Sequence, residues 1–541
     1  MTTGISIAGA SRRQILISLL LLTLVTLAVR VPLLNLPLER DEGEYAYIAW
    51  RMGHHELPYR DWFDQKPPGI FWVYRAALAL PLDPVCAVHL MGLLCALAAA
   101  AALFFLAGRF LPWFWSLAAG ALFSLLLADP LMLGPAANTE TFMLLPLLLS
   151  QLVFFSGTDS GRRRAFFWTG VLVGIATVFK QVAGVNWFLL LALFPVFYAR
   201  ERRARRTLDF AAWSAAGAGA VWAVIGGYFL LRHGFPDFLY NVFTHNFEYV
   251  AAMPAAARWE NCRQTLGRLA EDQTWVWLFA LAGLAALAWT RQFRALLFLA
   301  GWLGSSLLAV SVSGYFFPHY FQQALPALCL AAGAGGALIG RLEVFRKMPP
   351  WLLRTMTVAL LAGPVAAALY PYLGRYSATE TLDRMYPNNR FAAMPDLARR
   401  VAAVTRPEDK VYVFGAEPEV LFYARRVSAS RYIFLLPLYG PYAGAKEKQA
   451  AAAAEIERNH PAAIFYRSFG LMRVPGSEQF LTHWTDAYAA SQFQPDTLLL
   501  EDSSGQISQV TGLAGQTNAD LAGSTVIAQI YVRQEHGERD K

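Results

Sequence analysis

Long apolar runs recur along most of this chain, and they constrain its fold more than any other feature. Of 541 residues, 56% are hydrophobic and only 16% are charged, whereas soluble domains carry about 25% charged residues. A helix of roughly 20 apolar residues crosses a hydrocarbon core of about 30 Å. We therefore predict a polytopic α-helical membrane protein with about eleven spans, near residues 14–36, 85–107, 113–132, 139–155, 165–179, 182–198, 210–231, 274–289, 293–312, 320–339 and 351–370.

Arginine and lysine residues between the runs predict the topology. If the amino terminus is inside, every second loop carries basic residues, as the positive-inside rule requires. The other loops are then extracytoplasmic: 37–84, 133–138, the point near Lys180, 232–273 and 313–319. The first run lacks a small-residue cleavage site and is expected to be a retained anchor. The two runs that flank Lys180 are short and could form one broken element, so the count is uncertain by two.

An odd number of spans places the tail, residues 372–541, outside as well. Its composition is ordinary and polar, and buried strands are predicted at 410–415, 462–466 and 525–531, with a helix at 443–459. We predict two domains: a transmembrane domain (1–371), whose first outer loop (37–84) is catalytic, and a small soluble extracytoplasmic α/β domain (372–541).

The net charge of +8 does not indicate nucleic-acid binding. The basic residues form short clusters between apolar runs instead of one basic face, so topology explains them better. The four cysteines, Cys86, Cys95, Cys262 and Cys329, are scattered without metal-ligand or redox spacing. We expect neither a disulfide framework nor a cysteine metal site.

The first outer loop contains an unusual density of charge. Asp41, Glu42 and Glu44 follow Arg40 directly after the first membrane-length run. Carboxylates are costly near hydrocarbon and tend to mark functional sites there, although a solvated loop would also explain them. Further along the same loop, Lys66 precedes two prolines, which force an extended backbone. This lysine could bind a phosphate group as a point charge, or its side chain could simply extend to the membrane interface.

Other charged or polar residues occur next to apolar runs. Glu140 follows Asn138 at the start of a predicted helix, where an acid is favoured by the helix dipole and Asn138 could cap the helix. Lys180 lies in apolar surroundings and needs a partner or an aqueous cavity. His319 and Tyr320 lie in a later outer turn, where aromatic residues that anchor the membrane interface are the alternative explanation. No histidine or carboxylate has the spacing of a zinc helix motif.

Taken in order, these motifs resemble a known family. Arg-Asp-Glu-x-x-Tyr (Arg40 to Tyr45), Lys-Pro-Pro, Asn-Thr-Glu and Lys180 at the end of a glycine-containing helix resemble the GT-C glycosyltransferases. Within these the chain is similar to the branch that holds lipid A aminoarabinose transferases, lipopolysaccharide-core sugar transferases and protein O-mannosyltransferases. The resemblance covers residues 14–334.

This resemblance implies a sugar donor linked to a polyprenyl phosphate, an extracytoplasmic active site and inversion at the anomeric carbon. It implies that Asp41 is the base that acts on the acceptor and that Lys66 contacts the lipid phosphate. The family often has an acid directly before Lys-Pro-Pro, but here that position is Gln65 and Asp64 precedes it. A divalent metal therefore stays open. The candidate substrate-binding residues are Glu42, Tyr45, Asp64, Lys66, Asn138, Glu140, Lys180, His319 and Tyr320.

We therefore predict a multi-pass enzyme of the bacterial inner membrane that transfers a sugar from a polyprenyl-phosphate carrier to a hydroxyl group. Its expected partners are the donor, membrane lipids and an envelope glycan, lipid or protein acceptor, with no nucleic acid. The main alternative is a transporter or flippase for a lipid-linked sugar, which would also need buried charges. A non-catalytic scaffold of an envelope complex is a second alternative. The sequence identifies neither the sugar nor the acceptor.

Overall fold

The computed structural model describes residues 10–198, 201–251, 253–339, 347–439, 444–473, 476–512 and 524–534. It is predominantly helical. The α-helices are α1 Arg12–Arg30, α2 Arg40–Met52, α3 Gly69–Ala77, α4 Pro84–Ala107, α5 Trp113–Leu127, α6 Thr139–Ser160, α7 Arg163–Thr177, α8 Val185–Phe197, α9 Arg203–Leu231, α10 Phe235–Leu239, α11 His245–Ala251, α12 Ala255–Trp289, α13 Phe293–Ser311, α14 Leu325–Ile339, α15 Pro350–Leu369, α16 Ala378–Met385, α17 Met394–Ala403, α18 Pro418–Ala424, α19 Ala445–Asn459 and α20 Phe480–Gln492.

The helices confirm a multi-pass membrane protein. Among the described residues, seven helical segments are long and apolar enough to cross a membrane: Arg12–Leu33, Pro84–Ala107, Thr139–Ser160, Arg203–Leu231, Phe293–Ser311, Pro318–Ile339 and Pro350–Leu373. Two shorter apolar helices, Trp113–Leu127 and Gln181–Phe197, accompany them. Each run expected to span the membrane coincides with a helix, but the count of eleven is not confirmed and stays a prediction.

The chain divides into two compact units. The first comprises Met1–Leu36, Lys66–Phe235 and Met253–Pro387, and it holds the apolar helices. The second comprises Pro37–Gln65, Pro236–Ala252 and Asn388–Lys541, and it holds α2 together with the carboxyl-terminal part of the chain. The single boundary expected near residue 371 stays a prediction.

Glycine residues let helices of the first unit pack with their backbones close together. A Cβ atom on Gly170 of α7 would lie 1.8 Å from the carbonyl oxygen of Ser214 in α9, and one on Gly217 would lie 2.1 Å from that of Phe167. In a membrane, van der Waals packing replaces the hydrophobic drive between helices, so small residues at the contact favour association. Phe194 and Phe210 stack beside this contact, with ring centroids 4.7 Å apart.

The second unit contains a six-stranded mixed sheet in the order β2-β1-β3-β6-β4-β5. Its strands are β1 Lys410–Phe414, β2 Val427–Ser428, β3 Ala463–Tyr466, β4 Phe493–Glu501, β5 Ile507–Thr511 and β6 Thr525–Arg533. Strand β1 pairs in parallel with β2 and β3, whereas β6 is antiparallel to β3 and β4. The predicted α/β domain is therefore confirmed, with strands where the three buried runs were expected.

Candidate functional site

Four of the candidate residues come together in the first unit: Glu140, Lys180, His319 and Tyr320. Glu140 lies in the first turn of α6. Lys180 follows α7 in extended conformation, just before the short 3-10 helix Gln181–Gly184. His319 and Tyr320 belong to the 3-10 helix Pro318–Ala324, which leads into α14. Three chain segments that are distant in sequence therefore contribute to one cluster.

The Glu140 carboxylate is the centre of this cluster. Its side chain is only 1% exposed and forms an ion pair with the ammonium group of Lys180. His319 Nε2 lies 3.9 Å from the same carboxylate oxygen, Oε1. The other oxygen, Oε2, accepts a 2.9 Å hydrogen bond from Thr139 Oγ1. A buried carboxylate needs such partners because an uncompensated charge in a low-dielectric interior is costly.

The Lys180 ammonium also lies over an aromatic ring. Its Nζ is 3.2 Å from the centroid of the Tyr320 ring. The rings of His319 and Tyr320 meet edge to face with centroids 4.8 Å apart, and Phe317 stacks on His319. A lysine held by a carboxylate and by an aromatic face is fixed in position, which is what recognition of an anion as a point charge requires.

The Lys-Pro-Pro turn lies beside the same cluster. The N–H group of Gly69, which begins α3 after Lys66 and the two prolines, donates a 3.0 Å hydrogen bond to the carbonyl oxygen of Val178. A Cβ atom at position 69 would lie 2.8 Å from that oxygen, so the turn requires glycine there. Since Val178 is close in sequence to Lys180, the fold brings the segments of both candidate lysines together.

Asn138 occupies the N-cap position of α6, but its side chain does not accept the capping hydrogen bond that the sequence suggested. A different polar contact fixes this helix end. Thr141 Oγ1 lies 3.5 Å from Gln322 Oε1, and Gln322 Nε2 donates to the Met132 carbonyl oxygen at 3.2 Å. These contacts join the segment of His319 to the start of α6 and to the preceding turn at Met132. Gln322, which the sequence analysis missed, is fully buried.

The remaining candidates lie in the second unit. Asp41 is the second residue of α2 and is half-buried, whereas Tyr45 in the same helix is buried. Glu42 forms a reciprocal capping box with Glu39 at the start of α2, with both hydrogen bonds 3.3 Å long. This is a structural role for Glu42, and its expected role in binding substrate stays a prediction. Asp64 is fully buried next to Phe63, whose N–H donates to the Arg431 carbonyl oxygen.

Two further buried charges of the second unit were not expected from the sequence. Glu417 and Arg467, each less than 9% exposed in the side chain, form an ion pair at 2.9 Å. Among the described residues, no group of three or more histidine, cysteine, aspartate or glutamate side chains is arranged to hold a metal ion. The question of a divalent metal therefore stays open.

Comparisons with known proteins fit this fold and these segments. Residues 65–227 match the family model described as dolichyl-phosphate-mannose-protein mannosyltransferase. No curated protein matches the chain in sequence. Among solved structures, ArnT from Cupriavidus metallidurans in the apo state is 15% identical with a TM-score of 0.58, and the alignment covers 95% of this chain and 97% of that one.

Two more solved structures have the same fold. ArnT from Cupriavidus metallidurans bound to undecaprenyl phosphate is 16% identical with a TM-score of 0.55, covering 77% of this chain and 86% of that one. The oligosaccharyltransferase from Archaeoglobus fulgidus in the apo form is 12% identical with a TM-score of 0.54, covering 96% of this chain and 76% of that one.

Fold and membrane helices thus define the class: this is a multi-pass membrane protein with the fold of the GT-C glycosyltransferases. The part that matches the mannosyltransferase family model begins at Gln65 and includes Lys66, Glu140 and Lys180. The expected fold class and the resemblance to these transferases are confirmed.

Proposed function

We propose that this chain is a glycosyltransferase that moves a sugar from a polyprenyl-phosphate carrier to a hydroxyl acceptor. The observation that carries this proposal is the partly buried Lys180 ammonium, held by the buried Glu140 carboxylate and by the Tyr320 ring next to the Lys-Pro-Pro turn. A cation fixed in this way among membrane helices suits a lipid-linked phosphate. A structural neighbour was solved with undecaprenyl phosphate bound, which supports the same donor class.

In the reaction we propose, the acceptor oxygen forms a bond to the anomeric carbon while the bond from that carbon to the phosphate oxygen breaks. The acceptor proton passes to the Asp41 carboxylate, which acts as general base. The electron pair of the broken bond stays on the polyprenyl phosphate. Lys66 and Lys180 stabilise the charge that grows on this leaving group. Attack from the opposite face inverts the anomeric carbon.

The proposed location is the bacterial inner membrane, with the reaction on its extracytoplasmic face. The distribution of basic residues among the loops supports this orientation. A lipid-linked donor is also consistent with it, because such a donor stays within the membrane that the apolar helices cross. The acceptor we propose is an envelope glycan, lipid or protein hydroxyl group.

The base assignment is tested with Asp41→Asn. We expect transfer to fall about 10²- to 10⁴-fold, the usual contribution of a general base, because the amide cannot take the acceptor proton. The assay is release of labelled sugar from a polyprenyl-phosphate donor in reconstituted membranes. Asp396→Asn, which removes an exposed acid of α17, is the matched control and should transfer normally. Near-normal transfer by Asp41→Asn would remove Asp41 from the mechanism.

The phosphate role of Lys66 is tested with Lys66→Ala. We expect a higher KM for the donor, because one cation that contacts the phosphate is lost. Lys347→Ala removes an exposed lysine and serves as the control. Donor KM is measured at saturating acceptor in both variants. An unchanged donor KM in Lys66→Ala would contradict the assignment.

A further inference from the structure

Helix α2, whose second residue is Asp41, contacts the carboxyl-terminal part of the second unit along its first three turns. Before the helix starts, the N–H group of Leu38 donates to the Tyr423 hydroxyl at 2.8 Å. Further along, the Tyr47 hydroxyl accepts from the N–H group of Ser428 at 2.9 Å. Both partners belong to residues 388–541, which we call the C-terminal domain.

Arg40, the residue before Asp41, makes the most specific of these contacts. Its Nε donates to the Ala416 carbonyl oxygen at 2.5 Å and its Nη2 donates to Asn389 Oδ1 at 3.0 Å. The same Nη2 lies 3.8 Å from Glu417 Oε1. The first turn of α2 is therefore tied through Arg40 to three residues of the C-terminal domain.

Glu417 is held firmly on its other side. Its Oε1 accepts a 2.9 Å hydrogen bond from Arg467 Nη1, and its Oε2 accepts one of 2.6 Å from the Ala416 N–H. The Arg467 guanidinium in turn donates to the carbonyl oxygens of Asn388 and Asn389. The Glu417 carboxylate thus lies between two guanidinium groups, one from α2 and one that is anchored in the C-terminal domain.

Backbone contact fixes the distance between α2 and α18. A Cβ atom on Gly43 would lie 2.4 Å from Cβ of Glu419 and 2.7 Å from its Cα. Glu419 is fully buried, so neighbouring atoms prevent it from moving away from α2. A displacement of α18 would therefore displace α2 with it.

We propose that the C-terminal domain positions the catalytic carboxylate, with Glu417 acting as a positioning residue for Asp41 through Arg40. The inference rests on the proposed function of Asp41 as the base. A general base must lie about 2.6–3.2 Å from the proton it takes, and a displacement of about 1 Å can reduce the rate about 10²-fold. The C-terminal domain is then required for the rate of transfer as well as for the stability of the protein.

The test uses Glu417→Gln and Gly43→Ala in the full chain, reconstituted in lipid nanodiscs. Competent molecules are counted by titration with undecaprenyl phosphate, so that kcat refers to molecules that still bind the lipid. We expect kcat to fall about 10- to 100-fold in both variants while donor KM changes less than about twofold. A loss of folded protein would lower the count instead of kcat per competent molecule.

Asp496→Asn provides the matched control, since it removes a carboxylate that accepts a 2.7 Å hydrogen bond from Arg400 in the same domain. We expect its kcat to stay within about twofold of the wild type even if its melting temperature falls. If Glu417→Gln does not fold, Gly43→Ala still tests the proposal through the contact with α18.

The positioning role is overturned if the variants that fold keep a kcat within twofold of the wild type, or if Asp496→Asn loses as much as they do. Failure of the proposed function gives a different result. In that case the wild type transfers no sugar, or Asp41→Asn transfers normally. Loss in Asp41→Asn with normal kcat in Glu417→Gln and Gly43→Ala refutes the positioning role alone.

Discussion

Removal of the Lys180 ammonium should destabilise the first unit by an amount that follows from the burial of Glu140. Lys180→Met keeps a long unbranched side chain but leaves the Glu140 carboxylate, 1% exposed, without its ion-pair partner. Breaking a buried pair from one side costs about 3–5 kcal/mol. We expect a value of about 3 kcal/mol, at the low end of this range, because Thr139 still donates to Glu140 and His319 remains 3.9 Å away.

The matching double variant separates stability from activity. In Lys180→Met with Glu140→Gln no buried charge is left unpaired, and the amide still accepts from Thr139. We expect at least half of the lost stability to return. Transfer should not return, because the cation proposed to face the leaving phosphate is still missing.

Equilibrium unfolding in mixed lipid–detergent micelles, followed by tryptophan fluorescence, measures these free energies, and sugar transfer is measured on the same preparations. Arg109→Met is the control, since it breaks an exposed ion pair between Arg109 and Asp159, whose side chains are 37% and 59% exposed, respectively. This change should lower the free energy of unfolding by less than about 1 kcal/mol. A cost below about 1 kcal/mol for Lys180→Met, or a double variant as unstable as the single one, would refute the reasoning.

Two further predictions concern the Lys-Pro-Pro turn and the buried acid Glu419. Gly69→Ala would place a Cβ atom 2.8 Å from the Val178 carbonyl oxygen and should raise donor KM. Gly363→Ala is the control and should leave donor KM unchanged, because a Cβ atom there would have no neighbouring atom within 4 Å. Equal donor KM in both variants would contradict this prediction. Burial and the nearby Glu417 raise the pKa of the Glu419 carboxyl to about 8 from an ordinary 4.5, so the folded state holds its proton longer than the unfolded state. The free energy of unfolding should therefore fall between about pH 4.5 and 8, by up to about 1.4 kcal/mol per pH unit. Thermal unfolding scans at several pH values should show that Glu419→Gln removes this fall. If the variant has the same pH slope as the wild type, Glu419 ionises normally.

The helices of the first unit could be located from sequence because hydrophobicity alone specifies them. Their ends could not be located where a helix continues beyond an apolar run. Helix α12 begins at Ala255, although the apolar run starts near residue 274. Hydropathy did not indicate the earlier start, because the first half of the helix carries polar residues such as Arg258 and Arg263. A hydropathy window does not respond to a polar helix, whose end depends on contacts with other segments.

Strands show the same distinction. β1 and β3 were predictable because their side chains are buried on both faces and read as continuous apolar runs. β5 was not predicted, since it is an edge strand with exposed residues such as Ser508 and Gln509. β2 has only two residues, and its existence depends on pairing with β1.

The candidate site was predictable only where charge interrupts an apolar run. Glu140 and Lys180 could be singled out individually, since a charge in such surroundings requires a partner, but the sequence did not say that they are partners of each other. That pairing depends on how α6 and the end of α7 pack, and it appears only in the fold. The burial of Glu417 and its pairing with Arg467 could not be read from the sequence, because a glutamate is common in a polar segment. It follows that a sequence reveals a buried charge within an apolar run by contrast with its neighbours, whereas in a polar segment the burial of a residue such as Glu417 must be seen in the structure.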